Sequence, residues 1–451
     1  MFHIQNLRGR AWFPGESGFD DVRRPWNRAV DQPALAVVEA ADADDVLDLV
    51  RFARHTGRGI SAQANGHDAT GRTDGAILLR TGRLDTVDID PVARRARIGA
   101  GVASGRLQAA AAPHGLTGLP GSSPIVSVAG AALGGGLSWF ARAHGWVADA
   151  VVGFDVVDAD GLQRRVSADD DPELFWALRG GGGDFAVVTG LELTLYPAPT
   201  VYGGRVRWSG EHAAEVFAAF RDVTATAPDE LTVWLDLLHF PGAEPMVALD
   251  TTYLGDAADV RGLFRELPTP LSDSRRVISV AELGSITAEP TEPTAGISHA
   301  ELLTTLDDHT VEALLSEPIA PLLSVQVRHL GGAIAGPSDS PHGPLTEPYA
   351  LYLFGPAARP GVAARATEIV VDLPISGRKP YTFLGRTETA AHAFAPDALT
   401  RLRGIKQRRD PANVFRSNFP VNQGSMAPRS ERPPALDVRA DGSPGGVILN
   451  Q

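Results

Sequence analysis

Hydrophobic and polar positions along the first two hundred residues switch between two spacings. ALAVVEA (34–40) is a short β-rich apolar run and predicts a strand. In the next stretch, DADDVLDLVRFARHTG, Val46, Leu49, Val50 and Ala53 recur at helical spacing. Asp42 suits the N-cap and Gly57 the position beyond the C-terminus, so a helix is predicted over 43–56. GISAQA predicts a second strand, which runs directly into the glycine-bracketed turn QANGHDATG (63–71). A strand–helix–strand unit delivers that turn to a strand's C-terminal edge, where ligands bind in α/β sheets.

The same reading predicts short strands at 76–80, 85–90 and 94–99, then a helix over 105–113 with Ser104 as N-cap and Gly115 after its end. GSSPIVSVAGAALGGG (121–136) is too rich in glycine and small residues to pack a conventional core. Its value lies in close backbone approach or tight turns. A strand at 151–157 and a helix at 171–178 lead into RGGGGDFAVVTGLELTLYP (179–197), a glycine run that passes into an alternating strand. Near residue 200 the texture changes. RVRW, TVWLDLLHF, MVALDTTYL and SVQVRHL alternate at period two, with amphipathic helices around 212–226 and 256–266. This predicts a second domain, an antiparallel sheet with helices on one face. SITAEPTEPTAGISH (285–299) reads as a polar loop within it. The tail after Asn422 reads as disordered, with VILN near its end able to dock locally.

Composition narrows the function. With 451 residues, 43% hydrophobic and 21% charged, the chain is expected to fold as a globular protein with two cores. A net charge of −13 argues against a nucleic-acid partner. Cysteine is absent, which excludes disulfides, thiolate metal sites and thiol nucleophiles, and no metal site is expected. The N-terminus lacks a signal-peptide pattern and no apolar run spans a bilayer, so a cytoplasmic protein without membrane contact is expected.

Several motifs fail on context. GAGVASG (99–105) is one residue too long for a dinucleotide fingerprint. GGGDFA (181–186) follows a helix and enters a strand, the reverse of what a helix N-terminus on a pyrophosphate needs. Ser376 and Lys379 form S-x-x-K, but Gly377 and Pro380 oppose the required helix. On local sequence alone, His67 is a loop histidine of no assigned chemistry.

The order of the segments carries more than any one of them. ALAVVEAADADDVLDLVRFARHTG, NGHDATG, RARIGAGVASGRL, HGLTGLPGSSPIVSVAGAALGGGLSW and DPELFWALRGGGGDFAVVTGLELTLYP together resemble the FAD-binding domain of the berberine bridge enzyme-like flavoproteins. These belong to the vanillyl-alcohol oxidase superfamily. RLRGIKQRRDPANVFRSNFPVN (401–422) is similar to the family's C-terminal motif. The resemblance implies an α+β, two-domain vanillyl-alcohol oxidase-type fold. A bipartite PCMH-type FAD domain would comprise 1–200 and 400–424, a substrate domain 201–399, and a flexible tail 425–451. Glycine turns suit this cofactor, because backbone N–H groups cradle a pyrophosphate.

By resemblance, Ala64, Asn65, Gly66, His67 and Asp68 contact the flavin end and pyrophosphate, and Gly121, Ser122, Ser123 and Pro124 the pyrophosphate and ring edge. Gly134 and Gly135 allow close approach, and Val187 and Val188 lie near the adenine. His67 occupies the position that bonds to the flavin 8α-methyl carbon. The alternative is that it packs beside a dissociable FAD. Two departures stand out. Ser123 replaces a cysteine that forms a second linkage in many relatives, so attachment is at most single. Gln63 lies where relatives often carry a cation, so charge stabilisation must come from elsewhere.

Val126 falls at the family's oxygen-gating position, where valine goes with oxygen-reactive members; the alternative is a core residue. The resemblance implies hydride transfer from a small molecule (an alcohol, amine or ring carbon, as in secondary metabolism) to flavin N5, with O₂ reoxidation to peroxide. A dehydrogenase or cyclase with poor O₂ reactivity, or a non-redox flavin-binding protein, is the alternative. Such chemistry needs a base or hydrogen-bonding group beside the substrate. In KPYTFLG (379–385), which matches a strand facing the flavin, Tyr381 is the candidate phenol, although the expected asparagine is missing. Strand alternation puts Trp234 with Asp236 and Gln326 with Arg328. Asp236 and Arg328 are candidate catalytic residues, the second also readable as an ion-pair residue, and Tyr352 is a weaker choice. The expected partners are a small-molecule substrate and O₂, in a monomer or homodimer.

Overall fold

Helix formation in the first half follows the caps. In a computed structural model, which describes residues 7–422 and the backbone of 2–4, 437–440 and 447–450, α1 spans Ala43–Thr56. The Asp42 carboxylate accepts from the Asp44 and Asp45 N–H groups, and Gly57 closes the helix at φ 66°. Val46, Leu49, Val50 and Ala53 form its buried stripe.

The helix covers a four-stranded sheet whose order is β1 (Arg10–Trp12), β2 (Ala36–Glu39), β4 (Ala76–Arg80) and β3 (Gly59–Gln63). The β2–β4 and β3–β4 pairs are parallel. A five-stranded antiparallel sheet is built from β5 (Val87–Asp90), β6 (Arg95–Gly99), β7 (Val151–Val157), β8 (Gln163–Ser167) and β9 (Val187–Thr194), in the order β8-β7-β9-β6-β5. One core, which includes Leu49, Phe154, Phe185, Leu191 and Phe415, unites these sheets.

Two helices in this half depart from expectation. α2 is Ser104–Ala111, capped at Ala103 with no side-chain bond, so Ser104 is the first helical residue and not the N-cap. Its own N–H donates instead to the Val126 carbonyl, tying the helix start to the segment after the GSSP loop. Within GSSPIVSVAGAALGGG, residues Val128–Leu133 form α3, with Ser127 accepting from the Gly130 N–H. Val128, Ala129 and Ala132 are buried there, so small residues do pack a core where the helix lies close to its neighbours. Helix α4 (Pro172–Leu178) starts one residue later than predicted, because the Asp171 side chain is its N-cap and accepts from the Leu174 N–H.

The second sheet contains β10 (Val201–Ser209), β11 (Leu231–Leu238), β12 (Met246–Tyr253), β13 (Gly296–Leu303), β14 (Ser324–His329) and β15 (Tyr349–Pro356), in the order β10-β12-β11-β14-β15-β13. All these pairs are antiparallel. Helices α5 (Ala213–Thr226), α6 (Asp308–Leu315) and α7 (Val362–Val371) cover one face. Phe217, Phe220, Val233, Leu235, Val325, Val327, Leu351 and Leu353 form a separate core beneath them.

The region predicted as a helix around 256–266 is a four-residue α-turn, Ala257–Val260, followed by a 3₁₀ turn to Phe264. The loop expected over 285–299 ends sooner, because β13 already begins at Gly296. KPYTFLG is not a strand: Tyr381–Phe383 forms a 3₁₀ turn. Pro380 has no N–H to give a ladder, and the Tyr381 N–H donates to His342 Nε2 at 3.1 Å.

The chain then returns to the first core through α8 (Pro396–Arg409). The Ile60 N–H donates to the Val414 carbonyl and the Arg416 N–H to the Ile60 carbonyl, extending the edge at β3. In the tail expected to be flexible, the structure describes only 437–440 and 447–450. There VILN forms a strand that pairs with 2–4 and 437–440; the rest lies outside the described residues. Among the described residues, no helix is long and apolar enough to cross a membrane, and no group of three or more His, Asp or Glu could hold a metal.

Candidate active site

The turn carrying His67 is held from several sides. The Asn65 carbonyl accepts from the Trp26 N–H at 2.9 Å, and its side-chain amide donates to the Ile125 carbonyl at 2.7 Å. The Asn65 Oδ1 also receives the His67 N–H, and Asn418 donates to the Asp68 carbonyl at 2.8 Å. The loop is thus tied to the N-terminal segment, the GSSPIV segment and the C-terminal return. The imidazole leans against Trp26, with ring centroids 4.6 Å apart, and its Nδ1 is buried without a partner. The Ser123 hydroxyl is a second such orphan. The backbone N–H groups of Gly66, Asp68, Ser122 and Ser123 make no hydrogen bond among the described residues. Orphaned buried polar atoms beside a row of free backbone donors fit a phosphate-bearing ligand.

Glycines divide between those that leave room and those demanded by a neighbour. A Cβ at Gly121 or Gly134 would meet only ordinary contacts, at 3.6 Å. At Gly135, φ is 88° and a Cβ would lie 2.7 Å from the His342 ring; one at Gly180 would lie equally close. The space beside Gly135 therefore belongs to His342, which the sequence reading missed. Val187 and Val188 are buried in β9, and Val126 is half-buried.

Gln63 also has an explanation. Strand pairing sets it opposite Arg80, whose guanidinium donates to its amide oxygen at 3.1 Å and to the Val22 and Arg24 carbonyls. The cation missing from the loop is on the next strand. Burial, with Arg28 adding to it, pulls the Arg80 guanidinium down to about 10.

Across from this loop lies the face of the second sheet that its helices leave to the first domain. Register aligns Arg205, Asp250, Trp234 and Arg328 in one row, and Asp236, Gln326 and Tyr352 in the next. Arg205 forks onto Asp250 with two bonds of 2.6 Å and reaches Asp236 at 3.3 Å. The other Asp236 oxygen accepts from the Ser324 hydroxyl at 2.5 Å. Burial drives the Asp236 carboxyl up to about 7; Asp250 adds to this, while Arg205, Ser324 and Arg328 oppose it.

Arg328 does not behave as an ion-pair residue. Its guanidinium lies 4.2 Å from the Trp234 ring centroid and 4.9 Å from that of Tyr352, and its Nε donates to Gln326 at 2.6 Å. No acidic side chain among the described residues pairs with it, and burial pulls its pKa down against Tyr352 and Glu289. Trp139, from the first domain, stacks on the far face of the row at 3.7 Å from Trp234.

Tyr381 is elsewhere. It is buried in the first core between Phe394 and Phe419, its hydroxyl donating to the Phe419 carbonyl at 3.4 Å. Two residues on, Phe383 is the part of that turn that reaches Arg328, at 5.7 Å. Tyr352 is the phenol on the sheet face, where Asp68 acts on it electrostatically across the domain boundary. The weaker sequence choice thus has the better position.

Fold and site together define a two-domain protein in which a clamped loop with free backbone N–H donors is set against a polar sheet face. Residues 34–167 match the family described as FAD binding domain. The chain is 30% identical to (R)-6-hydroxynicotine oxidase of Paenarthrobacter nicotinovorans, over 92% of this chain and 97% of that protein. Glucooligosaccharide oxidase of Sarocladium strictum is 31% identical over 55% of this chain and 51% of its own length. The crystal structure of 6-hydroxy-D-nicotine oxidase from Arthrobacter nicotinovorans matches with a TM-score of 0.82 at 26% identity, covering 92% and 98% of the two chains. BBE-like 1 of Physcomitrella patens shares the fold, with a TM-score of 0.81 at 20% identity over 93% and 98%. The chain belongs to the berberine bridge enzyme-like FAD-linked oxidoreductases of the vanillyl-alcohol oxidase superfamily, and FAD is its cofactor.

Proposed function

We propose that this protein is an oxidase of a small organic molecule, with FAD tethered once, through the His67 imidazole. One observation carries the reading. A clamped loop with free backbone donors and an orphaned imidazole nitrogen stands opposite a sheet face whose buried carboxyl changes charge near neutral pH. FAD, when bound, supplies a two-electron acceptor that takes hydride from a substrate C–H and returns the electrons to O₂ as hydrogen peroxide.

The chain's own residues do the rest. Gly66, Asp68, Ser122 and Ser123 offer N–H groups to the pyrophosphate, and Gly121 and Gly134 leave space beside the ring. Asp236 takes the proton that leaves the substrate O–H or N–H, within the field of Arg205 and Arg328. Arg328 and Tyr352 hold the polar end of the substrate on the sheet face, and Tyr381 is a packing residue. Val126, half-buried beside the GSSP loop, is the oxygen gate of this reading. Amines, alcohols and sugar lactols are to be mixed with the yellow protein in air, while peroxide and flavin bleaching are followed. Peroxide formed in step with bleaching is expected. Turnover that requires an artificial acceptor would make the protein a dehydrogenase.

A further inference from the structure

Arg80, at the end of β4, is a buried cation whose guanidinium is held by carbonyls instead of a carboxylate. It donates to the Val22 carbonyl at 3.0 and 3.1 Å, the Arg23 carbonyl at 3.2 Å and the Arg24 carbonyl at 2.8 Å. These oxygens end the short helix Phe19–Arg23, where the last carbonyls have no partner within the helix and a side-chain cation can satisfy them. A closed ring of side chains locks the arrangement. Arg80 donates to the Gln63 amide oxygen at 3.1 Å, Gln63 to the Gln32 amide oxygen at 2.8 Å, and Gln32 back to the Arg23 carbonyl at 2.7 Å. All three side chains are buried, and a satisfied buried network of this kind is rigid.

The residues that follow the helix touch the His67 loop. A Cβ at Gly66 would lie 2.8 Å from the Pro25 Cβ and 2.7 Å from the Gln63 amide oxygen, so no side chain fits between loop and segment. The Trp26 N–H donates to the Asn65 carbonyl at 2.9 Å, and the indole leans on the His67 imidazole with ring centroids 4.6 Å apart. Each ring carries a buried nitrogen without a partner, Trp26 Nε1 and His67 Nδ1. With its Nδ1 unpaired, the imidazole takes its orientation from the Trp26 ring. Arg80 thus reaches the loop by two short routes, through Gln63 to Gly66 and through residues 22–24 to Trp26.

Resting on the His67 tether reading, we propose that Arg80 and Trp26 are positioning residues for flavin attachment. Arg80 holds residues 22–26 against the loop, and Trp26 holds the imidazole in the orientation for bonding to the 8α carbon. Attachment exchanges one imidazole N–H bond and one 8α C–H bond for an N–C bond. The two electrons stay on the flavin and pass to O₂, which leaves with both protons as hydrogen peroxide. Such a step depends on placement, and a shift of about 1 Å can cost about 10²-fold in rate.

The test compares wild type, Trp26→Ala, Arg80→Met and Arg80→Lys, each purified from the same short induction and saturated with FAD. The reading is the share of bound FAD that stays with acid-precipitated protein. In Trp26→Ala and Arg80→Met, FAD should still bind, but the acid-stable share should fall to about a tenth of the wild-type value. Arg80→Lys should recover part of it, since an ammonium can still bond to the carbonyls of 22–24. A merely structural role would lower stability and FAD uptake together and leave whatever FAD is bound fully acid-stable. That pattern in Arg80→Met, or an undiminished acid-stable share in Trp26→Ala, overturns the inference. The Trp26→Ala comparison decides even if Arg80→Met does not fold. Release of all FAD from the wild type would instead overturn the tether reading beneath it.

Discussion

Asp236 shows how a single position acquires a role from its surroundings. A carboxyl with an ordinary pKa near 4 is held at about 7 because burial outweighs the help of Arg205, Ser324 and Arg328. The raised value means that the folded state keeps the proton where the unfolded chain has lost it. This contribution to stability is complete below about pH 4 and is lost as pH rises to about 7, at no more than about 1.4 kcal/mol per pH unit. Asp236→Asn should flatten that part of the pH–stability curve, as denaturant midpoints between pH 4 and 8 would show. In the wild-type enzyme, the rate of flavin reduction by substrate should rise with pH through about 7. The Asn variant should lose that rise and slow by about 10²–10⁴-fold. An unchanged pH profile would remove Asp236 from proton transfer. Strand alternation in TVWLDLLHF was enough to put Asp236 beside Trp234. It could not reveal Arg205 or Asp250, whose place in Trp234's row, next to that of Asp236, depends on pairing between separate strands.

Elements impose their own requirements on the glycine runs. Gly135 has a positive φ and lies against the His342 ring, so Gly135→Ala carries both backbone strain and a clash. It should destabilise by about 1–3 kcal/mol. Combined with His342→Ala, the loss should be smaller than the sum of the two single losses, because the clash disappears while the strain remains. Equilibrium denaturation of the four proteins gives this coupling. The C-terminal return depends on a buried ion pair. Lys406 donates to Asp410 and to the Asp184 and Phe415 carbonyls, while Asp410 also accepts from the Val414 and Phe415 N–H groups. Asp410→Ala would strand the Lys406 charge in the core at about 3–5 kcal/mol. Its thermal midpoint should fall accordingly, with the colour of the remaining folded protein unchanged. Local patterning carried α1 with both its caps and the existence of α4, because every signal there lies within a few residues. KPYTFLG misled because a strand was read from resemblance while Pro380 and a distant histidine fix a turn.

At the scale of the whole molecule, the site exists only because two units are fastened together. Arg142 leaves the first domain and donates to the Leu231 carbonyl at 2.9 Å, the Ala227 carbonyl at 3.1 Å and His329 Nε2 at 3.1 Å. Trp139 stacks on Trp234 across the same boundary, and Asn418 closes over the His67 loop from the far end of the chain. The order of motifs along the sequence made the first domain and its loop legible, since backbone donors in glycine turns leave a local signature. The sheet face was legible only in part, because its chemistry is assembled from six strands that share no local signal. What joins the two halves in function is the tether at His67. Acid precipitation of the purified protein measures it directly. The account predicts that the yellow colour stays with the precipitate, and that a His67→Ala variant loaded with FAD releases all of it to the supernatant. Complete release of FAD from the unmodified protein would contradict the account.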